Sequence, residues 1–485
     1  MRKWIAEELQ GVDLGDKRLN KRFAIILDRL SAKPNVSIPA ACKGLSETIA
    51  AYRFFSNGEV APPKLLAPHA QATSRRAAER DVVLVAQDTT ELEWTRKQET
   101  VGGPLSDERR VGAYAHVCLA LTPDRVPLGV VRADIWTRDP DNFRKRKECS
   151  KKPIEEKESF RWLEGYRAAS DLAEQCPETQ VVCLSDSEGD IYECFEEGAI
   201  DEEQRQGDGE TQEAKSRRAD WIVRACQNRR LADNPEQKLF EAVGETPVVK
   251  RAVIEVSNRE AKGDKSCRRN KAQKARQAEV TIRAACVKLQ APPRRGPSAR
   301  KLRDLNVRTV LIREESPPTG ATPIEWMLLT SLPIDGVEAV ERVIDYYCCR
   351  WEIEIFFRTL KSGCQVEELQ LETVERMTAC VSVYMIVAWR VMHLLMLGRS
   401  CPEIPCDVVL EDSEWRSVYV LVRGGDPPET PPSLSDAIVM IASLGGYLGR
   451  ENDRPGPKTM WIGVQRMRDF AQAWNAFGPG KITCV

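Results

Sequence analysis

Two short apolar, β-branched runs in this chain stop at an aspartate. DVVLVAQ runs into Asp88, and TQVVCLS runs into Asp186. Runs of this length, bounded by turn residues, suit buried strands. Between them AHVCLALTP and VPLGVVRADIW read as two more strands, and KESFRWLEGYRAASDLAEQ reads as a helix. DWIVRACQNRR follows as a further strand. Three strands, a helix and more strands define a mixed α/β sheet. Carboxylates at strand ends of such sheets stand where ligands bind.

The flanking segments read differently. Up to about residue 70, WIAEELQ, KRLNKRFAIILDRLSA and SETIAAYRFFSNG carry apolar residues at helical spacing. Lys17, Arg18, Lys21 and Arg22 cluster at the start of the second of these. A basic helical unit suits DNA, although a solvated face is the commoner meaning of such a cluster. Residues 201–216, DEEQRQGDGETQEAKS, read as an exposed loop. From Lys250 to Arg308 the chain is strongly basic, with VTIRAACVKL as a strand between CRRNKAQKARQ and PPRRGPSARKLR. That pattern predicts a β-rich insertion whose basic loops suit a phosphate backbone. A strand around WMLLTSLPI follows, and the last hundred residues read as helices broken at PPET and RPGPK.

Composition removes several chemistries. The formal net charge of −1 says nothing about an anionic partner, so only the distribution of charge counts. There are 16 cysteines but no CxxC pair, and the N-terminus is charged rather than apolar. The cysteines therefore read as reduced, buried small hydrophobes of a cytoplasmic protein. The three histidines, His69, His116 and His393, leave little for a catalytic triad or a histidine-bound zinc. The apolar stretch from Cys380 to Leu397 has nearly the length of a membrane span, but Arg390 and His393 interrupt it, so a buried core helix is the better reading.

A hydrolytic or transfer site must then run on carboxylates. YYCCRWEIEIFFRTLK, from Tyr346 to Lys361, carries Tyr347, Arg350, Glu354 and Lys361 at spacings of 3, 4 and 7. On one helix these four fall within about 60° of arc. Arg350 and Glu354 also make an ordinary i,i+4 pair. Together Asp88, Asp186 and Glu354 supply hard oxygen ligands of the kind magnesium prefers. Glu188 or Asp190 could replace Asp186 in that set. Two such ions serve phosphoryl transfer, with Arg350 and Lys361 on the flanking phosphates. Glu352 adds a further carboxylate close by, a competitor for metal.

At this point the chain resembles the DDE transposases of bacterial insertion sequences, in the IS-four family, and most of all the group of the Tn-five transposase. The Y-x2-R-x3-E-x6-K signature is Tyr347, Arg350, Glu354 and Lys361; QDTTELEW carries the first aspartate and LSDSEGDIY the second. LGDKRL, AYRFF, EKESFRWL, WIVR, IEWMLLTS and IASLGGYLG are similar as well, so the resemblance spans nearly the whole chain. It implies an α/β, RNase H-like catalytic core at 71–375 with a β insertion at about 235–335. It also implies a helical domain at 1–70 that binds transposon ends and a helical dimerisation domain at 376–485. Asp88, Asp186 and Glu354 would be the catalytic metal ligands, for two Mg²⁺ with Mn²⁺ as an alternative. Tyr347, Arg350, Lys361, Arg224, Arg18, Lys21 and Arg53 would contact DNA, and Trp326 would receive a flipped base. The implied partners are transposon-end DNA, target DNA and a second copy in a synaptic dimer, with no membrane, in a bacterial cytoplasm near the nucleoid. The rival readings are an inactive DNA-binding inhibitor or regulator and a metal-dependent endonuclease that does not join.

Overall fold

The first apolar run forms strand β1, Val82–Glu93, which continues five residues beyond Asp88. Full burial runs from Val83 to Gln87, and from Asp88 onward the strand is mostly half-buried. The sequence reading ended the strand where only its burial ends. In the computed structural model the described residues are 2–94, 101–107, 109–140, 153–206, 218–256, 274–293, 302–451 and 453–479, without the side chains of 200–206. The chain forms two compact units, Met1–Lys145 with Trp351–Val485, and Arg146–Arg350.

In the first unit β1 pairs antiparallel with β3, Val111–Leu121, which also pairs with β2, Gly103–Pro104, and with β4, Pro127–Trp136. The helices Pro62–Ala77 and Val374–Ser400 pack on β4. The latter contains the membrane-like stretch. It is long and apolar enough to cross a bilayer, yet 89% of its most apolar window is buried inside the protein. It acts as the central post of the unit, and three of its polar side chains reach carbonyls on neighbouring segments. Trp389 donates its indole N–H to the Pro127 carbonyl (2.9 Å), His393 Nδ1 bonds the same oxygen, and Arg390 donates to the Val409 carbonyl (2.7 Å). Burial holds the His393 imidazole down at about 3.

The helices predicted near the N-terminus form at Lys3–Glu8, Lys17–Ala32 and Leu45–Phe55. Asp16 caps the second by accepting from the Arg18 backbone N–H. Pro62–Ala77 follows and runs through residue 70. A buried ion pair ties the first helix to the last of these: Glu8 faces His69 and Arg76. The Val130 N–H donates to His69 Nε2 (3.0 Å), so the proton sits on Nδ1 and points to Glu8. Burial pushes the Glu8 carboxyl up, but His69 and Arg76 outweigh it and hold the group at about 2.

Toward the C-terminus lie Asp412–Arg423, Leu434–Leu444 and Pro457–Phe477, with the breaks at PPET and RPGPK as expected. The last two meet backbone to backbone. A Cβ on Gly445 would lie 1.9 Å from the Thr459 carbonyl oxygen, and one on Gly463 would lie 2.0 Å from that of Ile441.

In the second unit β5, Gln180–Ser185, pairs parallel with β6, Asp220–Arg224. Then come, all antiparallel, β10 (Glu325–Thr330), β9 (Leu305–Glu314), β8 (Arg276–Leu289) and β7 (Val248–Val256). The strands predicted from VTIRAACVKL and WMLLTS are β8 and β10. The sequence does not mark β7 and β9, because charged residues interrupt their apolar runs. DWIVRACQNRR is strand only over Asp220–Arg224. Helix Tyr192–Gln206 covers the first six residues of the predicted loop 201–216; its remainder lies outside the described residues. The same holds for most of the two basic runs, at 257–273 and 294–301.

The Glu8 pairing predicts a pH-dependent stability. A carboxyl held at about 2 in the fold, against an ordinary 4.5, stabilises above pH 4.5, and the effect is lost as pH falls toward 2. Replacing Glu8→Gln should cost about 3 kcal/mol at neutral pH. In urea titrations the gap to the wild type should close between pH 4.5 and 2; a gap independent of pH would sink this account.

Candidate functional site

The stripe from Tyr347 to Lys361 is not one helix. It is divided into Val337–Cys349, Glu352–Arg358 and a π-turn at Thr359–Gly363. Arg350 and Trp351 stay near helical angles but leave the regular hydrogen-bond ladder, and Arg350 N–H bonds back to the Tyr347 carbonyl. Arg350 closes the second unit and Trp351 reopens the first. The four signature residues are therefore shared between units: Tyr347 and Arg350 in one, Glu354 and Lys361 in the other.

In the second unit several predicted residues gather. Helix Val337–Cys349 packs on β6, whose last residue is Arg224, and β10, carrying Trp326, lies beside β6. Tyr347 is wholly buried, and the half-buried Trp326 meets its ring edge-on with centroids 5.9 Å apart. Burial pushes the Tyr347 phenol up; the Arg350 and Arg224 cations pull it back, and Asp186 pushes it up again. The phenol thus lies within electrostatic reach of both cations and of Asp186. Asp186 ends β5 as expected and caps the short turn Ser187–Gly189, accepting from the Glu188 N–H at 2.7 Å.

The alternatives to Asp186 separate cleanly. Asp190 is fully buried and saturated: it accepts from the backbone N–H groups of Cys226 and Gln227 (2.8 Å each) and pairs with Arg229. It is a structural anchor of the loop after β6. Glu188 is exposed. Sequence reading missed the partner Arg229, because 39 residues separate the pair.

In the first unit, helix Glu352–Arg358 packs on β1, which carries Asp88. Asp88 is half-buried and accepts from the Thr89 N–H at 2.7 Å; Glu354 is exposed. Glu352, expected as a competing metal ligand, instead turns inward. It is 4% exposed, burial raises its pKa, and its nearest cation is Arg125 at 4.0 Å. Lys361 is three-quarters buried, 3.9 Å from Glu367. Burial lowers its pKa, while Glu367, Glu91 and Glu93 raise it against Arg110. Glu91 and Glu93 were missed, although the alternation in TTELE places both on one face of the strand. Within each unit, among the described residues, no three His, Cys, Asp or Glu side chains group closely enough to hold a metal ion. Of the remaining predicted contacts, Arg18, Lys21 and Arg53 are exposed on the N-terminal helices, Arg18 pairing with Asp16.

A mixed α/β protein with carboxylates at strand and helix ends beside buried cations suits an enzyme acting on phosphodiesters. Comparison with known proteins narrows this. Family models match along the chain: transposase DNA-binding over residues 1–60, transposase DDE domain over 211–388, and transposase Tn5 dimerisation domain over 386–476. The chain is a Tn5-like DDE transposase of the IS4 type, with an RNase H-like DDE domain, and so an enzyme that cuts and joins DNA. Among solved structures, a piggyBac transposase synaptic complex with hairpin DNA is similar at 8% identity and a TM-score of 0.35, over 99% of this chain and 80% of that one.

The two aspartates of the DSEGD turn should behave differently. Asp190→Ala strands Arg229 in the core and should lower stability by about 3–5 kcal/mol. Asp186→Asn should leave the unfolding free energy within about 1 kcal/mol of wild type. Chemical denaturation of both variants checks the distinction; equal losses would contradict it.

Proposed function

We propose that the chain is a cut-and-paste transposase in which Asp88, Asp186 and Glu354 are the catalytic carboxylates. The observation that carries this is the gathering of Asp186 at the end of β5, Arg224 at the end of the adjacent β6 and Tyr347 on the helix packed against β6, with Trp326 against the tyrosine ring. Cations beside a carboxylate at a strand end suit a phosphodiester held for attack.

The donor set is all carboxylate, hard oxygen without imidazole or thiolate, and it suits Mg²⁺, with Mn²⁺ able to substitute. Ions held by the three carboxylates would supply an activated water and a stabilised leaving oxygen. The protein's own residues do the rest. Arg350 grips one phosphate through its planar fork, and Lys361 meets another as a point charge. Trp326, half-buried against Tyr347, offers an aromatic face to an extruded base.

Hydrolysis at the transposon end leaves a 3′-OH. That hydroxyl attacks the opposite strand, forming a hairpin and freeing the flanking DNA. A second water reopens the hairpin, and the restored 3′-OH joins target DNA. Residues 1–70, with Arg18, Lys21 and Arg53 exposed, would read the ends. Residues 71–375, with the β insertion at about 235–335, would be the catalytic domain. Residues 376–485 would form the dimer of the synaptic complex in the bacterial cytoplasm.

The test uses the purified protein, Mg²⁺ and a duplex carrying the terminal inverted repeat of the encoding element. The wild type should give a nick at the repeat boundary and then a hairpin. Glu354→Gln should lose at least about a thousandfold in rate yet still bind the duplex. Unimpaired cleavage by the variant would refute the assignment. A wild type that binds without cutting favours an inhibitor, and cutting without hairpin or joining favours a plain endonuclease.

A further inference from the structure

The chain doubles back after Lys361 in a way that the site described so far does not explain. The π-turn Thr359–Gly363 is followed by Gln365 in a left-handed conformation (φ 49°), and then by a short turn at Val366–Glu368. A left-handed non-glycine residue costs about 1–2 kcal/mol and persists only where its surroundings require it. The reversal brings Glu367 to two places at once. Its Oε1 accepts the Glu93 N–H at the end of β1 (3.0 Å), and the same oxygen stands 3.9 Å from Lys361 Nζ.

Two nearby carboxylates are otherwise engaged. Arg110 bridges Glu91 and Glu93 at 2.8 Å each, and Glu91 also accepts from Ser106 N–H and the Tyr114 hydroxyl. Among the described residues, Glu367 is the carboxylate within ion-pair distance of Lys361. At 3.9 Å the contact is electrostatic rather than a hydrogen bond. The ammonium keeps its three N–H donors for a phosphate while Glu367 restrains where it sits.

We propose that Glu367 is a positioning residue, which holds Lys361 at the outer end of β1 in the place where it receives a DNA phosphate. This rests on the reading of Lys361 as a phosphate contact. Glu367 also helps to keep the largely buried lysine charged, since its carboxylate opposes the lowering caused by burial.

The informative variant is Glu367→Gln. Its amide oxygen can still accept the Glu93 N–H, so the turn stays tied to β1 and only the charge is lost. With the repeat-end duplex and Mg²⁺, single-turnover cleavage should fall roughly three- to tenfold while duplex affinity is kept. The alkaline limb of the rate profile should move down by about half to one pH unit, because Lys361 loses its proton more easily. Glu367→Asp should restore part of the rate. A wild-type rate and limb in Glu367→Gln would overturn the proposal, as would a lower melting temperature with an unmoved limb. Lys361→Met separates the two readings. If that variant cleaves normally, the phosphate role of Lys361 fails. If it is inactive while Glu367→Gln is normal, only the positioning role fails.

Discussion

The first unit depends on burying one apolar helix, Val374–Ser400. Twenty of its residues are buried, far too many for one face. A helix apolar on nearly every side must be enclosed on nearly every side. β4, the helix Pro62–Ala77, the N-terminal helices and Pro457–Phe477 provide that enclosure. The helix carries polar groups inside this sheath, and three of them fix a neighbour: Trp389 and His393 both seek the Pro127 carbonyl, and Arg390 seeks that of Val409. The Glu8, His69 and Arg76 cluster adds a second fastening, with Arg76 stacked on Trp389. Segments from both chain termini are thereby locked around one element.

The same unit shows how a buried core helix can imitate a membrane span. Length and hydropathy alone do not distinguish the two environments. The buried Arg390 and the half-buried His393 do, because each bonds a carbonyl that the surrounding fold supplies.

Much of the fold was legible because local patterns dictated it. The helical spacing in KRLNKRFAIILDRLSA predicted Lys17–Ala32, and the apolar runs predicted β1, β3 and β5. The failures share a physical cause. β1 runs past Asp88 because pairing with β3 continues after burial ends, and pairing is invisible in one strand's sequence. The four-residue stripe assumes an unbroken helix, whereas the ladder lapses at Arg350 and Trp351. The site residues Asp190 and Arg229, or Lys361 and Glu367, show the other limit. An isolated carboxylate reads the same whether it faces a ligand or a buried guanidinium, and only the tertiary partner decides. Glu352 is the clearest case, a carboxylate beside the signature that the fold turns into the core.

The contact between Leu434–Leu444 and Pro457–Phe477 bears on how the C-terminal region tolerates change. At Gly445 and Gly463 the opposing surface is a carbonyl oxygen, which cannot rotate away as a side chain can. Every missense change at either codon adds at least a methyl group, so the collision is indifferent to the chemistry of the substitute. Elsewhere on these helices one apolar residue can drift to another of similar size. Under prolonged mutation the pair of glycines should thus persist as fixed points, while the apolar residues around them are exchanged.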